Sequence, residues 1–207
     1  MVHNDLVVVI SNRKDPHMST DASYTALTGV YTIDPAHSTI GFSVRHAMIT
    51  NVRGRFGAFE GLVKLDGYQP TRSEAYLSVQ TGSLDTGNLD RDTHLMGPDF
   101  FDVATYPLMA FRSLNVADCG DGQFRMTGLL RIKDVELPLH IDLLFGGSAR
   151  DEQGRHRVGF SGTATVRRSD WGLGWNTPIE TGGVLVSDRV KLSLDVSAVR
   201  MSRVDAS

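Results

Sequence analysis

Residues 123–145 read QFRMTGLLRIKDVELPLHIDLLF, and this stretch decides the fold. Phe124, Met126, Leu130 and Ile132 share one parity, with Arg125, Thr127 and Arg131 on the other. Beyond Lys133-Asp134 the alternation resumes. Leu137, Leu139, Ile141, Leu143 and Phe145 share a parity, and Glu136, His140 and Asp142 take the other. A period of two sends successive side chains to opposite faces of a β-strand, so each segment is a strand with one apolar face. Asp134 suits the turn that joins them.

The pattern extends outward from this hairpin. Ile40, Phe42 and Val44 alternate with Gly41, Ser43 and Arg45, and Ala75, Leu77 and Val79 with Glu74, Tyr76, Ser78 and Gln80. Val158, Phe160, Ala164 and Val166 share a parity, as do Val190, Leu192, Leu194 and Val196. Asp66-Gly67, Asp118 to Gly122 and Asp151 to Gly154 supply turn chemistry where the runs stop. The spacing predicts eight strands, roughly at 31–47, 51–66, 73–83, 106–117, 123–133, 135–150, 156–170 and 187–200. Only Asn88 to Met96 reads as helix, stopped by Gly97-Pro98, and a second short turn is expected over Pro98 to Asp102. Without crossover helices the sheet is antiparallel. Strands well above the usual ~5–6 residues favour a closed, tilted sheet. The expected fold is therefore all-β, an eight-stranded antiparallel up-and-down barrel with one short helical segment. Gly54, Gly57 and Gly61 inside one strand mark a bend or a close approach.

The chain has 207 residues, 21 basic and 24 acidic, for a formal net charge of −3. That length suits one domain. The small net charge argues against nucleic acid as a partner. Cys119 is the single cysteine, so no intramolecular disulfide forms. No run reaches the ~20 apolar residues of a membrane span. Leu6 to Ile10 is shorter than a signal-peptide core of ~7–15 residues, so the expected location is the cytoplasm. Met18 offers a second start. The expected organisation is an N-terminal arm over 1–28, poorly ordered or partly docked, a barrel domain over 29–202 and a tail over 203–207.

No catalytic set is legible. The seven histidines form no spaced metal pair and no metal site is expected. No nucleophile elbow is present. What the registers supply instead is an apolar interior. Phe42, Val44, Leu77, Val79, Leu192 and Leu194 are expected to face inward. His46 shares the parity of Phe42 and Val44, where a polar ring needs a partner. It is either a satisfied core or rim histidine or a donor to a ligand headgroup. Arg168 shares the parity of Val166, and a buried arginine is rare unless paired. Its partner is either Asp170 or another carboxylate, or an anionic or carbonyl group of a ligand. Trp171 opens an apolar, glycine-rich loop to Gly183 that either caps a barrel mouth or packs on the barrel base.

Taken in order, several motifs resemble a known family. They are Tyr31 to His46, Val52-Arg53-Gly54-Arg55-Phe56, Gly61-Leu62-Val63, Ser83-Leu84-Asp85-Thr86 and Arg91-Asp92-Thr93-His94-Leu95. Then come Asp99-Phe100-Phe101-Asp102, Tyr106 to Phe111, Gly128 to Ile132, Gly159-Phe160 and Arg168 to Gly172. Together they resemble the YceI-like family over about residues 30–200. Asp134 stands where that family commonly has glycine. The resemblance implies a lipocalin-like barrel around a long apolar tunnel, associated with isoprenoid lipids. Many relatives are periplasmic. On this reading the chain is a binding or carrier protein for a polyprenyl chain or isoprenoid quinone. Its expected ligand-binding residues are Phe42, Val44, His46, Leu77, Val79, Arg168, Trp171, Leu192 and Leu194. No cofactor is required. The partner is an apolar small molecule, and a homodimer is left open. Two alternatives stand: an enzyme acting on a lipid or quinone within the barrel, with His46, His94 and nearby carboxylates as the candidate acid–base groups, or an interaction module holding only a structural lipid.

Because residues 1–17 carry no sustained pattern, their removal is expected to leave the melting temperature nearly unchanged. A fall of about 10 °C, equivalent to roughly 3 kcal/mol for a domain of this size, would instead show a docked strand at Leu6 to Ile10.

Overall fold

The computed structural model describes residues 24–47, 49–178 and 185–202. Most of the expected arm and all of the expected tail therefore lie outside the described residues. One sheet contains the strand segments β1 (Gly29–Ile33), β2 (Thr39–His46), β3 (Thr50–Phe56), β4 (Phe59–Leu65), β5 (Glu74–Gln80) and β6 (Leu84–Asp85). It continues with β7 (Leu108–Gly120), β8 (Gln123–Ile132), β9 (Val135–Arg150), β10 (His156–Arg167) and β11 (Val186–Arg200). All pairings are antiparallel. The helix is α1 (Leu89–Met96), capped by the Asn88 side chain, which accepts from the Arg91 N–H at 2.9 Å.

Eleven segments make eight long strands, because three of the strands are broken. Along one edge of β11 run first β1, with Tyr31 opposite Arg200, and then β2, with Phe42 opposite Leu192. β4 pairs with β1 while β3 pairs with β2. β5 pairs with β4 while β6 pairs with β3. Each break has a local cause. Pro35 opens a one-turn 3-10 helix to His37, with the Asp34 carboxylate accepting from Ala36 N–H at 3.1 Å. Thr81–Ser83 is another 3-10 turn. Gly57-Ala58 lies between them, its amide donating to the Ser83 carbonyl at 3.0 Å while Gln80 N–H donates to the Ala58 carbonyl at 2.9 Å. The breaks fall side by side, so the sheet bends along one line instead of losing its ladder.

The expected eight-stranded barrel is thus the observed one, and the expected single strand over 51–66 is β3 followed by β4. The rest of the circuit runs β5, β7, β8, β9, β10, β11. Inward positions are apolar: Phe124, Met126, Leu130 and Ile132 of β8 and Leu139 and Ile141 of β9 are buried. Outward positions carry cross-strand ion pairs, Arg125 with Asp142 at 2.8 Å and Arg112 with Glu136 at 3.2 Å. A barrel that spans a bilayer shows the inverse, with its apolar band outside. No described helix is long and apolar enough to cross a membrane.

The two ends differ. At the helix end lie α1, the β2–β3 turn and the segment that follows β10. At the other end lie the β4–β5 and β9–β10 turns, with residues 24–28 leading into β1.

The three glycines of the β3–β4 strand do different work. A Cβ on Gly61 would stand 2.6 Å from the Tyr76 carbonyl oxygen and 2.6 Å from the Ile33 side chain. A Cβ on Gly54 would meet the ring of Phe42, its cross-strand partner, at 2.4 Å. A Cβ on Gly57 would meet only the Ser83 carbonyl oxygen, at 3.7 Å, an ordinary contact. Gly61→Ala is therefore expected to destabilise the barrel by about 1–3 kcal/mol through overpacking. Gly57→Ala should stay within about 0.5 kcal/mol of the parent. Urea unfolding of the two variants checks the contrast.

Candidate functional site

The interior of the ring holds a cavity of about 280 Å³. It forms because an eight-stranded ring is wide enough to hold a small ligand once its inward side chains are in place. Its walls are the inward registers of the barrel. β2 contributes Ile40, Phe42 and Val44, β5 contributes Leu77 and Val79, and β11 contributes Val190, Leu192, Leu194 and Val196. Phe124, Met126 and Leu130 of β8 and Leu139, Ile141, Leu143 and Phe145 of β9 complete the far side.

The helix end is walled by Leu95, Phe100, Trp171 and Leu173. Phe100, Trp171 and Leu173 are buried. Trp171 is fixed by its indole N–H, which donates to the Leu130 carbonyl at 3.1 Å. His94 on α1 packs edge-on against Trp175, ring centres 4.6 Å apart, and against Phe100 at 5.2 Å, while its Nε2 lies 3.0 Å from Asp99 Oδ2.

Arg168 anchors this wall. Its Nε donates to the Ser187 carbonyl at 3.1 Å, and its Nη2 to the Val186 carbonyl at 3.3 Å. Its Nη1 donates to the Leu173 carbonyl and, at 2.9 Å, to the Trp175 carbonyl. Four of the five guanidinium donors are thus used. The guanidinium also lies 5.9 Å from the centre of the Phe100 ring. Between Val186 and Val190, β11 bulges away from β2, and it is there that the Val186 and Ser187 carbonyls turn to Arg168. Burial pushes the Arg168 pKa down from its ordinary value, and the charge of Asp188 counters this. Among the described residues, neither Asp170 nor another carboxylate bonds the guanidinium directly. The expected carboxylate pairing is corrected: backbone carbonyls take that place, because a loop folded under a barrel end leaves carbonyls in need of donors.

At the opposite end Tyr24 and Leu27 line the cavity. Tyr24 stands edge-on to Phe124 and Phe145, with ring centres 6.2 Å and 5.5 Å away. Burial and the charge of Asp118 raise its phenol pKa. Asp66 and Ser73 of the β4–β5 turn and Glu74, the first residue of β5, border the same end.

Of the residues expected to meet a ligand, Phe42, Val44, Leu77, Val79, Arg168, Trp171, Leu192 and Leu194 line this one cavity. His46 does not: it pairs with Thr50 and Val186, past the last residue of β10, where the ring wall has already ended. Parity fixes the face of a strand but not how far along it the barrel persists. Reading the sequence missed Tyr24 and Leu27, which fall in the part of the chain assigned to the arm. Its only signal there was a tyrosine and a leucine close before β1. Ile179, in the segment expected to cap a mouth, lies outside the described residues.

The model of the YceI-like domain matches residues 31–198. A UPF0312 protein of Vibrio cholerae serotype O1 is 34% identical over 152 residues, covering 72% of this chain and 80% of the relative. The crystal structure of the Campylobacter jejuni YceI protein is 28% identical, with a TM-score of 0.67, covering 76% of this chain and 90% of that one. The structure of a polyisoprenoid binding domain from Saccharophagus degradans, implicated in plant cell wall breakdown, has a TM-score of 0.63 at 16% identity. The match covers 83% of this chain and 98% of that one.

Arg168→Met is expected to lower stability by about 3 kcal/mol or more, since it removes donors from several carbonyls at once. Arg168→Lys keeps the charge but lacks the planar fork. It should recover only a minor part of the loss. Chemical unfolding of both variants gives the measurement, and a stability equal to the parent's in Arg168→Met would remove the anchoring role.

Proposed function

The chain belongs to the YceI-like family, and on that premise we propose that it binds an isoprenoid lipid, a polyprenyl chain or isoprenoid quinone, in its barrel and carries it without altering it. The observation that carries this reading is the cavity itself. It extends from the helix end to the Tyr24 end, and its sides are made of Phe, Leu, Ile, Val and Met side chains. Protein interiors pack as densely as organic crystals, with few voids larger than a water molecule. At ~24 cal/mol per Å³ of cavity, filling 280 Å³ with apolar matter is worth on the order of 7 kcal/mol. That is comparable with the whole net stability of a domain. A branched apolar chain supplies the matter, each buried methylene contributing about 0.8 kcal/mol.

The polar side chains at the helix end support holding over chemistry. Arg168 is engaged with backbone carbonyls, and His94 faces Asp99 and two aromatic rings on the outer side of the helix-end wall. The binding domain from Saccharophagus degradans shares the fold, which agrees with a polyisoprenoid as the ligand class.

Native mass spectrometry of gently purified protein, followed by organic extraction, tests the proposal. The expected result is one apolar chain molecule per protein, recovered unchanged. Removing it should lower the melting temperature, since a ligand bound only by the folded state adds RT ln(1 + [L]/Kd) to stability. Recovery of a chemically converted product would favour an enzyme, and a polar occupant would end the isoprenoid reading.

A further inference from the structure

Resting on that reading, we propose that Tyr24 sets the length of chain the cavity accepts, acting as the stop against which the apolar tip of the ligand ends. Tyr24 precedes the first barrel strand, yet its ring closes the end of the cavity together with Phe124 and Phe145. The segment that carries it is pinned rather than loosely draped. Leu27 N–H donates to the Tyr24 carbonyl at 2.8 Å, and Tyr31 Oη donates to the Leu27 carbonyl at 2.9 Å. Gly67 N–H donates to Thr28 Oγ1 at 2.9 Å. Arg200 donates to the Ala26 carbonyl at 3.0 Å and to the Thr28 carbonyl. Gly67 is itself required beneath this segment, because a Cβ there would overlap the Tyr24 carbonyl. The opposite wall is equally fixed by Arg168 and by the Trp171 bond to Leu130. Along β8 the two walls touch at Phe124 and Leu130, a run of ~20 Å of strand at ~3.4 Å per residue. Two fixed walls define a length.

The charges give the ligand its direction. Asp66 and Glu74 border the Tyr24 end, whereas Arg168 is the cationic side chain lining the other. A phosphate head, itself anionic, is disfavoured beside carboxylates, so the apolar tip lies against Tyr24.

The test uses the full chain, stripped of lipid and offered an equimolar series of all-trans prenols of increasing length, with the bound species read by native mass spectrometry. The parent should show a sharp upper limit in chain length. Tyr24→Ala should move that limit up by at least one isoprene unit, and Tyr24→Trp should move it down. An identical limit in all three proteins overturns the inference, as does loss of all prenol binding in a Tyr24→Ala variant that melts like the parent. Should Tyr24→Ala fail to fold, the Tyr24→Trp limit alone decides. A parent that takes up no prenol of any length refutes the isoprenoid reading itself, and the length limit with it. A parent that binds prenols with an unmoved limit refutes only the role of Tyr24.

Discussion

The barrel closes on β11. Its fifteen residues bond β10 along one edge and, along the other, β2 and then β1. Without that second edge the sheet would be open, its inward apolar face would meet water, and two strands would carry unpaired backbone groups. Closure also fixes the bore. A ring of eight strands leaves room that its own side chains do not fill. Phe42, Phe56 and Phe101 on one side and Phe145 and Phe160 on another line it and pack ring against ring. Cavity and closure are therefore one property seen from inside and from the ladder.

Closure has a price at the places where a long strand must follow a curved wall. The β1–β2, β3–β4 and β5–β6 strands each break at the same level. The backbone groups released there are taken up locally: Asp34 N–H donates to the Ser197 carbonyl at 2.8 Å, and Ser197 N–H donates to Ser38 Oγ at 2.9 Å. Nearby, Arg157 joins Asp34 and Asp151 at 2.6 Å and 3.1 Å, tying the break in β1–β2 to the β9–β10 turn. Both carboxyl pKa values are lowered; for Asp34 the Arg157 bond is the leading cause, while for Asp151 the Arg155 and Arg157 bonds outweigh burial. Since depressed carboxyl values stabilise the folded state above the unfolded pKa, this corner weakens only as pH falls through the lowered range.

How much of this could be read from the chain follows from what each sequence signal reports. Parity reports the face, and so Phe42, Val44, Leu77, Val79, Leu192 and Leu194 were legible as one interior from three short runs. Turn chemistry reports where strands stop, and it located the β4–β5, β7–β8 and β9–β10 turns. Neither signal reports position along the barrel axis. His46 keeps the inward parity but stands beyond the wall, while Tyr24, with no strand around it, stands within reach of the cavity. Nor does either signal report what a buried donor meets. Arg168 reads as a cation in an apolar register, which points equally to a carboxylate, a ligand or a set of carbonyls. Only the bulge in β11, set by a mismatch of ladder register between Val186 and Val190, decides for carbonyls.

That outcome changes what Arg168 contributes to function. A guanidinium spent on four carbonyls holds Leu173 and Trp175 of the loop against Val186 and Ser187 of the closing strand. Closing the ring and walling its helix end are thereby coupled through one side chain. Any opening at that end must break these bonds together, and each charged hydrogen bond is worth about 1.5–3 kcal/mol. The Tyr24 end is held differently, by one bond each from Tyr31 and Gly67 and two from Arg200 to a short segment outside the sheet. Such a segment has no ladder of its own, and these bonds, with the Tyr24 ring packed on Phe124 and Phe145, set its position. The two ends of the cavity are therefore fixed by different means, the Arg168 end through the closing strand and the Tyr24 end through side-chain bonds to one short segment.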